Sequence, residues 1–323
     1  MLMSTININN YLFDQPLKCD NSGFSKWGIG LRGKNRFFVK EFLSPVFPAD
    51  TSIYSERKRK ALISICSSFV NTKTELDSAI RTVSDGNLVG IEQFFRVGAK
   101  YYISTEAILQ TTLSVAEIAN YPFYERLKLC CIISHAVERL HSQKIVHADI
   151  KPDNVLVYNS PGLHAKIIDF DCSFFEKNAP MPGEELNGDM VYFSPEAFLH
   201  IAEEESVLSC KMDIFALGLL FHQYFTGYLP YYDISKYQYA YESVLDDHPL
   251  GISREIPYAI ASLLIKMLRK NPTNRPDAAT VFLTLKQIWD QLIKRETPSE
   301  VPSSENRKAE APEELFFKRA GDL

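Results

Sequence analysis

The spacing of apolar and polar positions changes along the chain, and the change divides it. Up to about residue 105, short apolar runs alternate with turn clusters, the pattern of half-buried strands. Residues 12–18 and 27–31 read as the first two strands, with the turn cluster Asp20-Asn21-Ser22-Gly23-Phe24-Ser25 between them. Gly33-Lys34-Asn35 predicts a tight turn into a third strand over 36–42. Residues 88–96 and 100–106 read as strands four and five. One helical insert separates the third strand from the fourth, over 52–83. Leu76, Ala79, Ile80 and Val83 recur there at helical spacing, and a break is predicted near Asn71-Thr72.

Beyond residue 106 the helical period dominates. Phe123, Leu127, Cys130, Val137 and Leu140 line one face of a segment running to His141. A second segment, opened by Asp213 and continued by Leu219, Leu220, Phe221, Tyr224 and Phe225, is apolar nearly all round, which marks a buried central helix. A last helix carries Val281, Phe282, Leu285, Ile288, Trp289 and Leu292 at i, i+3/i+4 spacing. From Thr297 the composition shifts to Pro, Ser and Glu, so 297–323 reads as a disordered tail. The expected fold class is α+β. A small β-rich lobe over 11–105, with one long helical insert, precedes a larger, mainly helical lobe over 106–296.

Composition changes this picture little. A chain of 323 residues accommodates one large domain or two lobes. Its 46% apolar and 23% charged residues are ordinary for a soluble globular protein. A net charge of −5 points away from nucleic acid, and Arg57-Lys58-Arg59-Lys60 reads as a solvated helix face. None of the six cysteines forms a C-x-x-C pair, which suits a reducing compartment, so the cytoplasm is the expected location. Residues 1–10 carry neither a basic region nor a long apolar core, so no signal peptide is expected. No uncharged apolar run is long enough to span a bilayer, so no membrane partner is expected.

The chemistry concentrates in His147-Ala148-Asp149-Ile150-Lys151-Pro152-Asp153-Asn154. Twelve residues after Asn154 comes Lys166-Ile167-Ile168-Asp169-Phe170-Asp171. These pieces resemble the catalytic and metal-binding loops of the eukaryotic-type protein kinases, whose patterns are H-R-D-x-x-x-x-N and D-F-G. Ala148 stands where the family has arginine, and Asp171 where it has glycine. Phosphoryl transfer needs positioned carboxylates, metal ions and cations around a triphosphate. Asp149 is placed to accept the proton of an attacking hydroxyl, and Lys151 to neutralise charge on the transferring group. Asn154 and Asp169 offer the hard oxygen ligands that Mg²⁺ prefers.

The resemblance extends in both directions. Gly188-Asp189-Met190-Val191-Tyr192-Phe193-Ser194-Pro195-Glu196 is similar to the family's G-T-x-x-Y-x-[AS]-P-E, with Asp189 for threonine. Asp213 opens a D-x-x-x-L-G match, and Asn271-Pro272-Thr273-Asn274-Arg275-Pro276 resembles N-P-x-x-R-P. The family's pairing implies a buried ion pair between Glu196 and Arg275, and implies that Asp213 hydrogen-bonds the catalytic-loop backbone. Lys40 falls where V-A-I-K places the lysine that grips the α- and β-phosphates. Its helical glutamate counts to Leu76, which cannot serve. Glu75 is adjacent and preferred, with Asp77 and Glu56 open. Thr105 falls at the back of the pocket, and Glu106 and Ala107 would offer backbone groups to adenine, with Leu156 as its floor.

The glycine-rich loop departs most from the family. None of its three glycine positions, Asp20, Ser22 and Ser25, is glycine; Ser22 and Gly23 are what remains to approach the phosphates. Trp27 and Phe38 replace the family's valine and alanine over the adenine, which narrows the expected pocket.

Lys151 looks like the serine/threonine type. The resemblance therefore implies an ATP- and Mg²⁺-dependent serine/threonine protein kinase acting on a protein substrate. The stretch from Phe174 to Phe193 holds no serine or threonine, and Ala148 supplies no receptor cation. Activity without activation-loop phosphorylation is expected, with control from a regulatory protein or a phosphatase. Two rival readings are a small-molecule phosphotransferase of the aminoglycoside-kinase kind, suggested by Asp171, and a nucleotide-binding pseudokinase scaffold, suggested by the missing glycines. Glu196, Asp213 and Arg275 speak against the first. The joint presence of Lys40, Asp149, Asn154 and Asp169 speaks against the second.

Overall fold

A computed structural model describes residues 6–19, 25–49 and 54–296. Ser22, Gly23 and the tail from Thr297 lie outside the described residues. The chain forms two units, one of residues 1–84 and 88–111, the other of residues 85–87 and 112–323.

The first unit is built on a six-stranded antiparallel sheet ordered β1-β2-β3-β4-β6-β5. Its strands are β1 (Ile6–Ile8), β2 (Tyr11–Phe13), β3 (Ser25–Arg32), β4 (Asn35–Phe42), β5 (Ile91–Val97) and β6 (Lys100–Glu106). Strand β1 is an addition to the sequence reading. The predicted strand over 12–18 ends at Phe13, and its far end touches the sheet only through a bridge between Lys18 and Trp27. Pro16 lies between and cannot donate to a ladder. The predicted strand from residue 88 begins at Ile91, because Leu88 and Val89 are buried outside the ladder.

The sheet is apolar on both faces. On one, Tyr11, Phe13, Val39 and Tyr102 are buried together, and the Tyr11 hydroxyl meets Ser104, Gln93 and the Arg32 guanidinium within 2.9 Å. Gly28 and Gly30 lie beneath this cluster; a Cβ on Gly30 would stand 2.8 Å from the Phe13 ring. Their G-x-G-x-x-G spacing with Gly33 therefore serves packing and a hairpin turn (Gly33 φ 65°), not phosphate binding. On the other face, helix α1 (Glu56–Val83) packs Cys66 and Phe69 onto Phe42, Phe94, Tyr101 and Ile103. The predicted break near Asn71-Thr72 does not occur; α1 runs unbroken for 28 residues. It contains no Gly or Pro, and Asn and Thr each cost a helix only tenths of a kcal/mol.

The second unit is mainly helical: α2 (Val115–Ala119), α3 (Phe123–Ser142), α4 (Pro195–Ile201), α5 (Lys211–Thr226), α6 (Ala240–Leu245), α7 (Tyr258–Met267) and α8 (Ala278–Glu296). Two short antiparallel pairs accompany them, β7 (Ile145–Val146) with β10 (Phe174–Phe175), and β8 (Val155–Asn159) with β9 (Leu163–Ile167). Helix α5 is buried along nearly its whole length, as its all-round apolar pattern predicts. Gly218 lets Leu268 pack on it, since a Cβ there would meet Leu268 at 2.8 Å. The architecture is α+β, a curled sheet unit and a helical unit.

Candidate active site

Helix α3 ends at Ser142, and the two residues of β7 lead into the loop from His147 to Lys151. Asp213, 1% exposed at the start of α5, holds this loop from below. Its carboxylate accepts the His147 N–H at 2.8 Å and the Ala148 N–H at 2.9 Å, and pairs with His141 Nε2 at 2.8 Å. Ala148 has φ 66°, a left-handed conformation that a side chain adopts only when its surroundings impose it. The double grip of Asp213 imposes it here. His147 is fully buried. Its Nε2 donates to Ile168 O at 3.0 Å while Nδ1 accepts the Asp149 N–H at 3.3 Å, an arrangement that requires the neutral ring.

Asp149 uses both carboxylate oxygens. Oδ1 accepts the Asp189 N–H at 2.9 Å. Oδ2 accepts Asn154 Nδ2 at 2.7 Å and lies 3.0 Å from Lys151 Nζ. Lys151 also stands 4.0 Å from Asp189 Oδ2. Burial alone would lower the Lys151 pKa, but the hydrogen bond and charge of Asp149, with Asp189 and Asp153, outweigh it and raise the pKa above the ordinary lysine value. The lysine is thus held as a cation.

Asn154 closes a short 3₁₀ turn, Pro152–Asn154, and is 6% exposed. Its amide group donates to Asp149 O at 2.8 Å as well as to Oδ2. The amide nitrogen is therefore spent on Asp149, and the carboxamide oxygen remains as an acceptor. Strand pairing brings a second oxygen donor alongside. Val155 pairs with Ile167, and Ile168 N–H donates to Asn154 O at 3.0 Å. The next residue, Asp169, is exposed and left-handed, with φ 61°. Two hard oxygen donors on adjacent strand ends suit Mg²⁺, which keeps several waters and shares its shell with substrate phosphates. Among the described residues no group of three or more His, Cys, Asp or Glu could hold a metal by itself.

The segment after Asp169 is anchored by its own strand pairing and side chains. Strand β10 pairs with β7. Glu176 accepts the Cys210 N–H at 2.8 Å, and burial, which would raise its pKa, is outweighed by Cys210 and Lys144, so its carboxyl sits below the usual range. His200 Nε2 meets Glu184 O at 3.1 Å, and Leu186 is buried in the helical core. The predicted Glu196–Arg275 pair is present, with hydrogen bonds of 2.6 and 2.8 Å.

In the sheet unit, Lys40 is 7% exposed on β4. On α1, Leu76 at the counted position is buried, and Glu75 beside it is exposed. Asp77 is engaged elsewhere, accepting the Ile91 N–H at 2.8 Å, and Glu56 pairs with Lys60 at 2.7 Å. Glu106 ends β6 and Ala107 follows it; Leu156 lies on β8, half-buried between Val155 and Val157. The structure thus assembles Asp149, Lys151 and Asn154 directly and sets Asp169 next to them. The Asp189 N–H contact was invisible in the sequence: it joins residues 40 apart and involves backbone.

A model of the protein kinase domain matches residues 60–285. The chain is 24% identical over 285 residues to a probable serine/threonine-protein kinase of Clostridium perfringens, covering 86% of this chain and 37% of that protein. It is 27% identical over 202 residues to a probable serine/threonine-protein kinase of Lactococcus lactis, covering 61% and 31%. It is 31% identical over 145 residues to serine/threonine-protein kinase A of Synechocystis, covering 43% and 27%. The chain spans about a third of the length of the curated relatives it matches.

Proposed function

Because the chain belongs to the protein kinase domain family, we propose that it transfers the γ-phosphoryl group of ATP to serine or threonine hydroxyls of a protein substrate. The observation that carries this reading is the Asp149 carboxylate, held between Asn154, Lys151 and the Asp189 N–H. Asp149 accepts the proton of the attacking hydroxyl, whose oxygen bonds to the γ-phosphorus as the bond to the β-phosphate oxygen breaks and ADP leaves. Lys151, kept cationic, offsets charge on the transferring group. Lys40, with Glu75 as its partner, takes the α- and β-phosphates. Glu106 and Ala107 offer backbone groups to adenine, and Leu156 lies beneath it. Asn154 and Asp169 would hold Mg²⁺, which would neutralise charge at the phosphates.

A protein substrate is favoured over a small molecule by the Glu196–Arg275 and Asp213 framework, which props the segment where a peptide is received in the family. The fixed contacts of β10, Glu176, His200 and Leu186 support activity without activation-loop phosphorylation. Control then falls to a regulatory protein or to a phosphatase acting on the products. No helix among the described residues is long and apolar enough to cross a membrane, and a cytoplasmic site of action goes with this reading. The test is incubation with γ-labelled ATP and Mg²⁺, alone and with generic protein substrates, beside Asp149→Asn. Label transferred by the wild type and not by the variant supports the reading; no transfer to any protein overturns it.

A further inference from the structure

The sheet unit has a cavity that plays no part in the reading above. Strand residues alternate sides, so Phe37 on β4 points away from Lys40, towards the face on which Tyr11, Phe13 and Val39 are buried. At the end of that face lies a cavity of about 550 Å³, lined by Arg32, Lys34, Arg36, Phe37, Glu106 and Leu109 among others. This is the size of a site for a small ligand or a few residues of peptide.

Its charges are ordered. Strand β4 lies between β3 and β6. The Phe37 ring therefore has the hairpin residue Arg32 on one side and its pairing partner Glu106 on the other. Lys34 and Arg36, on the same hairpin, are both exposed. Arg32 is fixed in place. Its guanidinium carbon lies 4.6 Å from the Phe37 ring centroid and 5.1 Å from that of Tyr11, and it donates to the Tyr11 hydroxyl at 2.8 Å and to Glu92 at 2.7 Å. The guanidinium fork has five N–H donors, so it keeps donors for an anion. Phe37 is half-buried and Leu109 is 61% exposed, an apolar edge that the unit leaves uncovered. From hairpin to β6 the cavity reads base, apolar, acid.

The chain carries the complementary order. Glu313-Glu314-Leu315-Phe316-Phe317-Lys318-Arg319 reads acid, apolar, base. It is the one aromatic-bearing stretch in a Pro-, Ser- and Glu-rich region, a composition that gains order by binding rather than alone. We propose that Glu313–Arg319 docks in this cavity of its own chain. Glu313 and Glu314 meet Lys34, Arg36 and the remaining donors of Arg32, as acidic motifs meet arginine clusters elsewhere. A phenylalanine ring covers Phe37 and Leu109, and the basic pair lies towards Glu106. The stretch from Thr297 to Pro312 spans about 55 Å when extended, and such a tether gives a local concentration of the order of millimolar. That favours the chain's own segment over a second copy. The proposal does not depend on phosphoryl transfer.

Amide hydrogen exchange on the full chain reads docking directly. Residues 314–319 should exchange about tenfold or more slowly in wild type relative to the double variant Lys34→Glu, Arg36→Glu, in which like charges face each other. Both cations are exposed, and the melting temperature checks that the variant is folded. Adding Glu313→Lys and Glu314→Lys to that variant should restore the protection. Equal exchange in wild type and double variant would overturn the inference, whether the segment is undocked or docked elsewhere. Protection that rises with protein concentration would put the segment on a second copy, and overturns it too.

Discussion

Arg275 and Glu196, 79 residues apart, meet in two parallel hydrogen bonds with their side chains 0% and 4% exposed. The remaining donors of the guanidinium are also used, on the carbonyls of Arg269, Lys211 and Lys270, and its carbon lies 5.0 Å from the Phe215 ring centroid. Removing one partner of such a pair leaves a buried charge, at roughly 3–5 kcal/mol. Arg275→Ala should lose about that much in denaturant unfolding. Arg275→Lys should recover little of it, because an ammonium cannot reproduce the five-donor fork.

Asp149→Asn should cut phosphoryl transfer by about 10²–10⁴-fold, the usual range for a positioned general base, while leaving nucleotide binding near wild type. Asp169→Asn should abolish transfer and weaken the dependence of nucleotide binding on Mg²⁺. Single-turnover rates and ADP titrations with and without Mg²⁺ separate the two. Activity within a few-fold of wild type in either variant would remove that residue from the machinery.

Gly188 has no room for a side chain. A Cβ there would stand 2.6 Å from Phe193 Cε1 and 3.0 Å from Ala148 O. Gly188→Ala should cost about 1–3 kcal/mol of stability. It should cost more in rate than in stability, because the displaced neighbour, Asp189, is the residue whose N–H orients Asp149. A variant with wild-type kcat would show that this hydrogen bond is dispensable.

Treatment of purified protein with a broad phosphatase, then its removal, should leave initial rates on an external substrate unchanged. The anchors at Glu176, His200 and Leu186 are groups that no phosphatase alters. A loss above about tenfold, reversed by autophosphorylation at a site between Asp169 and Glu196, would contradict this; tenfold corresponds to about 1.4 kcal/mol.

Asp85 predicts an acid-sensitive contribution to stability. The His135 ring, 3.0 Å away, is the main cause holding its carboxyl below the model-peptide value of 3.8, with help from Asn87 against burial. A depressed carboxylate stabilises the fold fully above its unfolded pKa, and this is lost as pH falls through the lower folded value. Melting temperature should therefore drop below about pH 4, and Asp85→Asn should flatten that limb while lowering the plateau. An identical acid limb in the variant would assign the loss to other carboxylates.

Several features were legible in the sequence because they are local. The run from His147 to Asn154, Asp169 with its preceding strand, and the apolar pattern of α5 each depend on neighbours within a few residues. Hydrophobic period reports which face of an element is buried, and spacing reports which side chains share a loop. That suffices for an α+β kinase-like chain and for the cluster Asp149, Lys151 and Asn154. It also anticipated Arg275 beside Glu196, through motif resemblance.

Only the tertiary structure decided the rest, because register and pairing are set by packing between distant segments. Asn71 and Thr72 look like a helix break, but contacts of α1 with the sheet outweigh their small helix penalties. What Gly28 and Gly30 are for shows only once Phe13, Tyr11 and Leu17 are packed against them. The rings of Trp27 and Phe38, with centroids 5.5 Å apart, stack only once β3 is aligned on β4, since a shift of one residue would send them to opposite faces.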